Sequence, residues 1–354
     1  MDSAFTTLVA DALDVPFRLL DVGCSGGIDA RWRVFGPKLQ AIAIDASRAE
    51  CERLAKVETL AGIEYVPTFV AGVANRPVDL ERGQASPLIM AVRERLSFMR
   101  TREIRAARLA QAAIEEQLRH NAWEMTGLAD STKPVAVSDL LAARGWTEFD
   151  YLKIDIDGSD FEVLQTFDGK LASAGVLGVQ LEVNFVGTDA ATDHTFHNTD
   201  RFMRRQGYEL FRLDVRNYSS RALPSRYVWP TPAETLSGRP FQGEAYYAPD
   251  FAHTTLSPAK LLKLAAIYGA WAVPDMAAEL LQARRPLLDS SLDVDKAFDL
   301  LAGQAQPEAV RKLDYKGYMR RFEADSASFY RREGDYTLAE RLAAAWTAFR
   351  WPRR

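Results

Sequence analysis

The sequence predicts an α/β sheet with helices on both faces, followed by an all-helical C-terminal appendage. Three observations predict it. Apolar runs at Leu19–Val22 and Ala41–Ile44 flank a glycine cluster, Gly23, Gly26 and Gly27, and a helix-length segment. A second apolar pair of runs, Tyr151–Ile156 and Val176–Val183, encloses another helix-length segment. From Ser257 to Trp351 the chain carries Leu/Ala stripes at helical spacing, as in LLKLAAIYGAWAV and YTLAERLAAAW. Short apolar runs bounded by glycine suit strands buried on both sides, and right-handed crossovers turn strand–helix–strand units into a Rossmann-like half-fold.

Composition agrees with a globular chain and excludes several classes. Of 354 residues, 47% are hydrophobic and 26% charged, and the net charge is −4, so no global field draws nucleic acid or an anionic membrane. Two cysteines, Cys24 and Cys51, cannot build a disulfide framework or a cysteine zinc cluster. The N-terminus lacks the order of a signal peptide and no apolar run has the length of a membrane span, so a cytoplasmic location is expected.

The elements follow in order. Residues 3–13 suit a short amphipathic helix. The strand at 19–22, the glycine turn, a helix-length segment and the strand at 41–44 come next. Ala46–Leu60 is helical by period, and Glu64–Val73 suits a third strand with an irregular start at Pro67. A loop spans 75–87. The Arg-, Ala- and Glu-rich stretch 88–126 is too long for a simple connection and suits a helical insertion, either a solvated one or one that serves as a lid or substrate wall. Val135 opens a strand and a short helix with Ser138 as N-cap. The strand at 151–156, a helix over 159–167, the strand at 176–183, a polar loop with His194 and His197, a helix over 200–206 and the strand Tyr208–Leu213 complete the alternation. Prolines and aromatics dominate from 222 to 249, which suits a loop-rich wrap. The expected domains are 1–250 and a helical 251–354.

The acids around the glycine turn point to a cofactor. The dinucleotide pattern G-x-G-x-x-G is absent, because Cys24 and Ser25 follow Gly23. Asp21, two residues earlier, would repel a pyrophosphate and favour an ammonium. Asp45, ending the second strand, suits the two hydroxyls of a ribose. A cationic amino-acid tail, a free ribose and no phosphate describe S-adenosylmethionine. Gly23, Ser25 and Gly27 would then hold the methionine part, and Ala71 and Gly72, near the third-strand turn, the adenine.

The strand FDYLKIDIDG places Lys153, Asp155 and Asp157 on one face at its carboxyl end, where open α/β sheets hold ligands. Lys153 can neutralise the carboxylates and poise one as a base, which methyl transfer to a hydroxyl requires. Asp157 suits substrate contact or a turn before the next helix. Glu182 and Asn184, ending the next strand, suit anchors for a substrate hydroxyl. With Asp155 they also make a weak alternative set of oxygen ligands for magnesium; no metal is otherwise expected. His194 is a second candidate base and His197 a substrate contact; without a third ligand nearby they do not form a zinc site.

These segments resemble the FkbM-type family of class I S-adenosylmethionine-dependent methyltransferases. LLDVGCSGGID is similar to the family's cofactor loop, with Asp21, Gly23 and Gly27 matching and Ser25 in place of the usual Asn. AIAIDAS has Asp45 where Glu is commoner. FDYLKIDIDGSDFEVLQTF resembles the signature Lys-Ile-Asp-Val-Glu-Gly-x-Glu, with Lys153, Asp155 and Gly158 agreeing and Asp157 and Asp160 standing for Glu. The resemblance spans about 18–215 and leaves out 88–126 and the chain after about 250. It implies a class I methyltransferase sheet and O-methyl transfer to a hydroxyl of a sugar, glycan or secondary metabolite, in polysaccharide or natural-product biosynthesis. Two other readings are an NAD-dependent oxidoreductase, with Asp45 as the ribose acid, and a non-catalytic scaffold with a relict cofactor domain. The helical appendage predicts a homodimer or a biosynthetic partner.

Overall fold

The computed structural model of the chain describes residues 4–73, 134–156, 159–218, 234–235 and 238–305. The insertion expected over 88–126, the loop at 75–87, Asp157 with Gly158, and the helices expected beyond 305 lie outside the described residues. Contacts divide the chain into a unit spanning Val15–Thr255 and a unit joining Met1–Asp14 to Leu256–Arg354.

The first unit is built on one eight-stranded sheet. Its strands are β1 (Phe17–Val22), β2 (Leu39–Asp45), β3 (Ile63–Pro67), β4 (Tyr151–Ile154), β5 (Gly178–Asn184), β6 (Tyr208–Tyr218), the two-residue β7 (Glu234–Thr235) and β8 (Arg239–Pro249). Their order is β3-β2-β1-β4-β5-β8-β6-β7. β1 to β5 pair in parallel, while β8 runs antiparallel to both neighbours, β5 and β6. The chain winds outward from β1 to β3 and then returns to the other side of β1 as β4. That reversal opens a crevice at the carboxyl ends of β1 and β4.

β8 is the main departure from the expected strands. The stretch read as a loop-rich wrap holds an eleven-residue strand inserted between β5 and β6. Its sequence, RPFQGEAYYAP, hides it: prolines stand at or near both ends, and Gln242, Glu244 and Tyr246 alternate with Gly243, Ala245 and Tyr247 rather than with a run of Val or Ile.

In the second unit, α1 (Ala4–Ala12) packs with α6 (Pro258–Ala270) and α8 (Val294–Ala305), and α7 (Pro274–Leu288) packs with α6 and α8. α1 buries Phe5, Val9 and Ala10. A Cβ at Gly269 of α6 would stand 2.5 Å from Thr6 Oγ1 and 2.8 Å from the Phe5 ring, so glycine permits the close approach. Ser257 caps α6 through the Lys260 amide at 3.3 Å, and Pro258 follows at its first turn. Contacts group residues 1–14 with these helices, against which Phe5, Val9 and Ala10 are buried.

Around the sheet lie α2 (Arg48–Val57), α3 (Val137–Ala143), α4 (Asp160–Gln165) and α5 (Phe196–Arg205). The helix expected after the glycine turn is a 3-10 segment, Ala30–Lys38, interrupted at Gly36, whose φ of 51° precedes Pro37. β3 ends, rather than begins, at Pro67, and Val70 continues only as an isolated bridge to Val135. Ser138 lies inside α3, whose N-cap position is Ala136. α5 starts at Phe196, four residues before the expected helix, so His197 lies in its first turn.

Register assigns the two faces of the sheet. Leu20, Val22, Ile42, Ile44, Leu152, Ile154, Val179, Leu181, Val183, Ala245 and Tyr247 form one apolar core with α3, α4 and α5. Each such side chain contributes about 1.5–3 kcal/mol when fully buried. The opposite face is mixed. Phe17, Trp32, Phe35 and Tyr151 stack at one end, and Asp21, Lys153, Gln180, Glu182 and Glu244 gather toward the other.

Candidate functional site

Lys153 is the hub of the site. Register sets it beside Asp21 on β1, and its ammonium lies 3.3 Å from Asp21 Oδ1, 3.0 Å from the Gly23 carbonyl and 3.5 Å from Asp155 Oδ2. Two strands that meet at the switch point are thus tied to the glycine turn by one cation. Burial opposes the charge on Lys153, but Asp21 and Asp155 outweigh it and raise its pKa. Asp21, only 3% exposed, is pushed up to about 6 by burial, with Lys153 pulling the other way. Both shifts are upward, yet one favours the charged form and the other the neutral form, because Lys153 has two carboxylates and a carbonyl to hold its charge, whereas Asp21 has one cation and little water. Lys153 is therefore the firmly charged partner, and Asp21 the one that takes up a proton. Asp155 is the more open carboxylate, with its side chain 34% exposed.

The glycine turn fits tightly over β4. Gly23 has φ +93°, and a Cβ there would lie 1.8 Å from the Asp155 carbonyl oxygen. Only glycine can occupy that position. Gly23 and Cys24 both donate their amides to the Ile44 carbonyl, at 2.8 and 3.0 Å, and Gly27 donates to the Cys24 carbonyl at 2.8 Å. Gly26 donates to Glu50 Oε1 at 3.1 Å. A nucleotide turn that binds pyrophosphate presents such amides to the ligand; here four are committed within the protein. Ser25 is exposed at the tip of the turn. Behind it, Tyr65 donates to Glu58 Oε2 at 2.9 Å, and Arg33 grips both Glu58 oxygens at 2.9 and 2.8 Å. Cys24 and Cys51 are both free and buried, and the Cys24 thiol is pushed up by its hydrogen bond to Cys51 and by burial, so it is no nucleophile.

Asp45 ends β2 with Oδ1 accepting the Ser47 amide at 2.8 Å, which fixes the carboxylate beside the turn. Ala71 donates its amide to Val135 at 2.9 Å, and a Cβ at Gly72 would stand 2.6 Å from Glu162 Cβ. The segment expected near adenine is thereby seated against α4.

On the far side, Glu182 is 8% exposed and its carbonyl meets His194 Nε2 at 2.8 Å. A carbonyl only accepts, so Nε2 carries the proton, and Nδ1 faces Asn184 Nδ2 at 3.5 Å and Asp160 Oδ2 at 3.7 Å. Both ring nitrogens of His194 therefore have protein partners. Asn184 Oδ1 is buried with no hydrogen-bond partner among the described residues. His197 is exposed on α5. Among the described residues no three His, Cys, Asp or Glu side chains are grouped to hold a metal ion, so Asp155 and Glu182 do not combine with a third such residue.

Sequence reasoning missed two acids, the half-buried Glu244 and the buried Glu50. Glu244 on β8 accepts from Gln180 Nε2 at 2.9 Å, and Gln180 in turn accepts from the Tyr151 hydroxyl at 3.1 Å. Burial, then Asp155, raises the Glu244 pKa. Glu50 was signalled by the spacing Ser47-x-x-Glu50, that of a capping box.

Family comparison gives a match over residues 103–210 to the methyltransferase FkbM domain. That stretch, under half of the chain, is similar to the FkbM-type methyltransferase domain. The chain is an S-adenosylmethionine-dependent methyltransferase, with S-adenosylmethionine as its cofactor. The matched residues take in β4, α4, β5 and α5, and they begin inside the stretch 88–126 that the sequence resemblance left out. No curated protein matches the chain. Among solved structures, an S-adenosylmethionine-dependent methyltransferase from Aquifex aeolicus is 9% identical, covers 69% of this chain and 89% of its own, and has a TM-score of 0.30. Precorrin-6y C5,15-methyltransferase from Geobacter metallireducens is 10% identical over 69% of this chain and 86% of its own, with a TM-score of 0.30. A protein of the NADB-Rossmann superfamily from Streptococcus agalactiae is 12% identical over 86% of this chain and 99% of its own, with a TM-score of 0.28.

The residues around the glycine turn suit that cofactor. The turn commits its amides internally, a carboxylate ends β2, and Asp21, Lys153 and Asp155 together carry one net negative charge beside the turn when ionised. Those are the partners of a cationic amino-acid tail and a ribose, not of a pyrophosphate. No described helix is long and apolar enough to cross a membrane.

Proposed function

We propose that the chain transfers a methyl group to a hydroxyl of a sugar, glycan or secondary metabolite. S-adenosylmethionine supplies the electrophilic methyl. Gly23, Ser25 and Gly27 would hold its methionine part with Asp21, Asp45 its ribose, and Ala71 and Gly72 its adenine. The observation that supports this reading is the position of Asp155, at the switch point, with its carboxylate 3.5 Å from the Lys153 ammonium and its backbone carbonyl packed against Gly23.

In this reading Asp155 draws the proton from the acceptor hydroxyl, because an alcohol is a weak nucleophile until deprotonated. Lys153 keeps the turn and the carboxylate in place. Asn184 offers its buried Oδ1 to a second hydroxyl of the acceptor, Glu182 adds a carboxylate, and His194 orients both through the Glu182 carbonyl and Asn184. Alignment supplies most of the rate. The helical unit serves as a dimer or partner interface, and light scattering of the full chain that gives a monomer would remove the dimer.

Calorimetric titration with S-adenosylhomocysteine, with NAD as control, comes first. Binding of about −8 kcal/mol, a micromolar dissociation constant, is expected. A screen of hydroxyl acceptors for S-adenosylhomocysteine release follows, with Asp155→Asn expected to lower kcat at least about hundredfold, a larger effect than on cofactor affinity. Methylation of nitrogen acceptors alone would overturn O-transfer.

A further inference from the structure

Glu50 on α2 is 6% exposed, and the proposed transfer makes no use of it. Its Oε1 accepts the Gly26 amide at 3.1 Å. Arg53 grips the same carboxylate, Nε to Oε2 at 2.7 Å and Nη2 to Oε1 at 2.6 Å. In a capping box the glutamate would turn back to the amide of Ser47. Here Asp45 takes that amide at 2.8 Å, while Ser47 Oγ still caps the Glu50 amide at 3.2 Å. The Glu50 side chain is thereby released toward the glycine turn.

The groups it engages are those a phosphate needs. Loop amides and an arginine fork are the common partners of phosphate oxygens. Glu50 occupies one amide and the fork together, and the amides of Gly23, Cys24 and Gly27 already go to Ile44 and Cys24. We propose that Glu50 sets cofactor specificity by acting as a built-in anion where a pyrophosphate would otherwise bind. This rests on the glycine turn being the cofactor seat, and it makes Glu50 a positioning and specificity residue rather than a catalytic one. The carboxylate also fixes Gly26, so the turn keeps one shape with or without ligand.

The test uses the full chain, with S-adenosylhomocysteine and ADP-ribose as probes, in the wild type, Glu50→Ala, Glu50→Gln and Glu50→Ala/Arg53→Ala. Removing the carboxylate should free Gly26 and Arg53, so ADP-ribose affinity rises at least about tenfold in Glu50→Ala, falls with added salt, and is lost again in the double variant. Glu50→Gln keeps a neutral acceptor for Gly26 but releases Arg53, and should show a rise of about threefold. Hydrogen exchange at the Gly26 amide, read without ligand, should quicken in Glu50→Ala and stay near wild type in Glu50→Gln. If Glu50→Ala does not fold, Glu50→Gln decides. No gain of ADP-ribose binding in the folded variants overturns the proposal. Wild type that fails to bind S-adenosylhomocysteine overturns the cofactor seat instead, with the effect of Glu50 on ADP-ribose still readable.

Discussion

On one face of the sheet Leu20, Val22, Leu152, Ile154, Leu181 and Ala245 are buried among apolar neighbours, whereas at alternate registers the other face carries Asp21, Lys153, Gln180 and Glu244. The same strands supply both. The apolar face is a continuous core and tolerates exchange of one hydrophobe for another of like volume. On the polar face each group is fixed by a named partner, so a single deletion strands another buried group. Both faces hold the fold together, but only the second tolerates no exchange of its groups.

The sharpest break in that contrast is at Gly23, which belongs to the polar end. Gly23→Ala forces a Cβ onto the Asp155 carbonyl at φ +93°, and a loss of about 3–5 kcal/mol is expected in denaturant unfolding, with S-adenosylhomocysteine binding abolished. On the apolar face Leu152→Ala should cost about 3 kcal/mol and leave cofactor affinity within about threefold once the protein is folded. Equal loss of affinity in both variants would erase the distinction.

Lys153→Met should cost about 3 kcal/mol at pH 8, because two carboxylates lose their cation. The penalty should shrink on acidification. Asp21 has a folded pKa of about 6, above its ordinary value of 3.8, so the folded state binds the extra proton; its burial weakens the fold as pH rises through that window, and the weakening is relieved below it. Unfolding curves at pH 5 and pH 8 check this, and a penalty that grows at pH 5 would contradict it. Glu58 slopes the other way: hydrogen bonding from Arg33 lowers it to about 2, so its contribution is present above about 4.5 and lost as pH falls toward 2.

Asp45→Ala should weaken S-adenosylhomocysteine at least about tenfold, about 1.4 kcal/mol, and cost about 1 kcal/mol of stability through the lost Ser47 hydrogen bond. Glu58→Gln should cost about 1 kcal/mol of stability and change cofactor affinity least, since it acts on the turn only through Tyr65.

The parallel half of the sheet was legible because β1 and β2 are apolar runs ended by glycine or an acid, because β5 is a largely apolar run ended by Asn184, and because Lys153 and Asp155 interrupt an apolar strand where charge is unexpected. β8 was not, since its two faces meet different surroundings and its alternation of Gln242, Glu244 and Tyr246 with small residues imitates a loop. The partners of His194 were equally hidden, because they depend on Asp160 and Asn184 arriving from separate elements. Period and spacing report which face a residue takes, and only tertiary pairing reports what it meets there.

The insertion of β8 also sets a schedule. β5 is complete at Asn184, but the strand that covers its open edge runs from Arg239 to Pro249. While the chain grows between those points, the Val179–Asn184 edge presents unpaired backbone groups to any passing strand. β6 cannot take that place in the finished order, because β8 separates it from β5. Synthesis that stalls before Pro249 therefore leaves an adhesive intermediate, and chaperone demand during translation should peak over that interval.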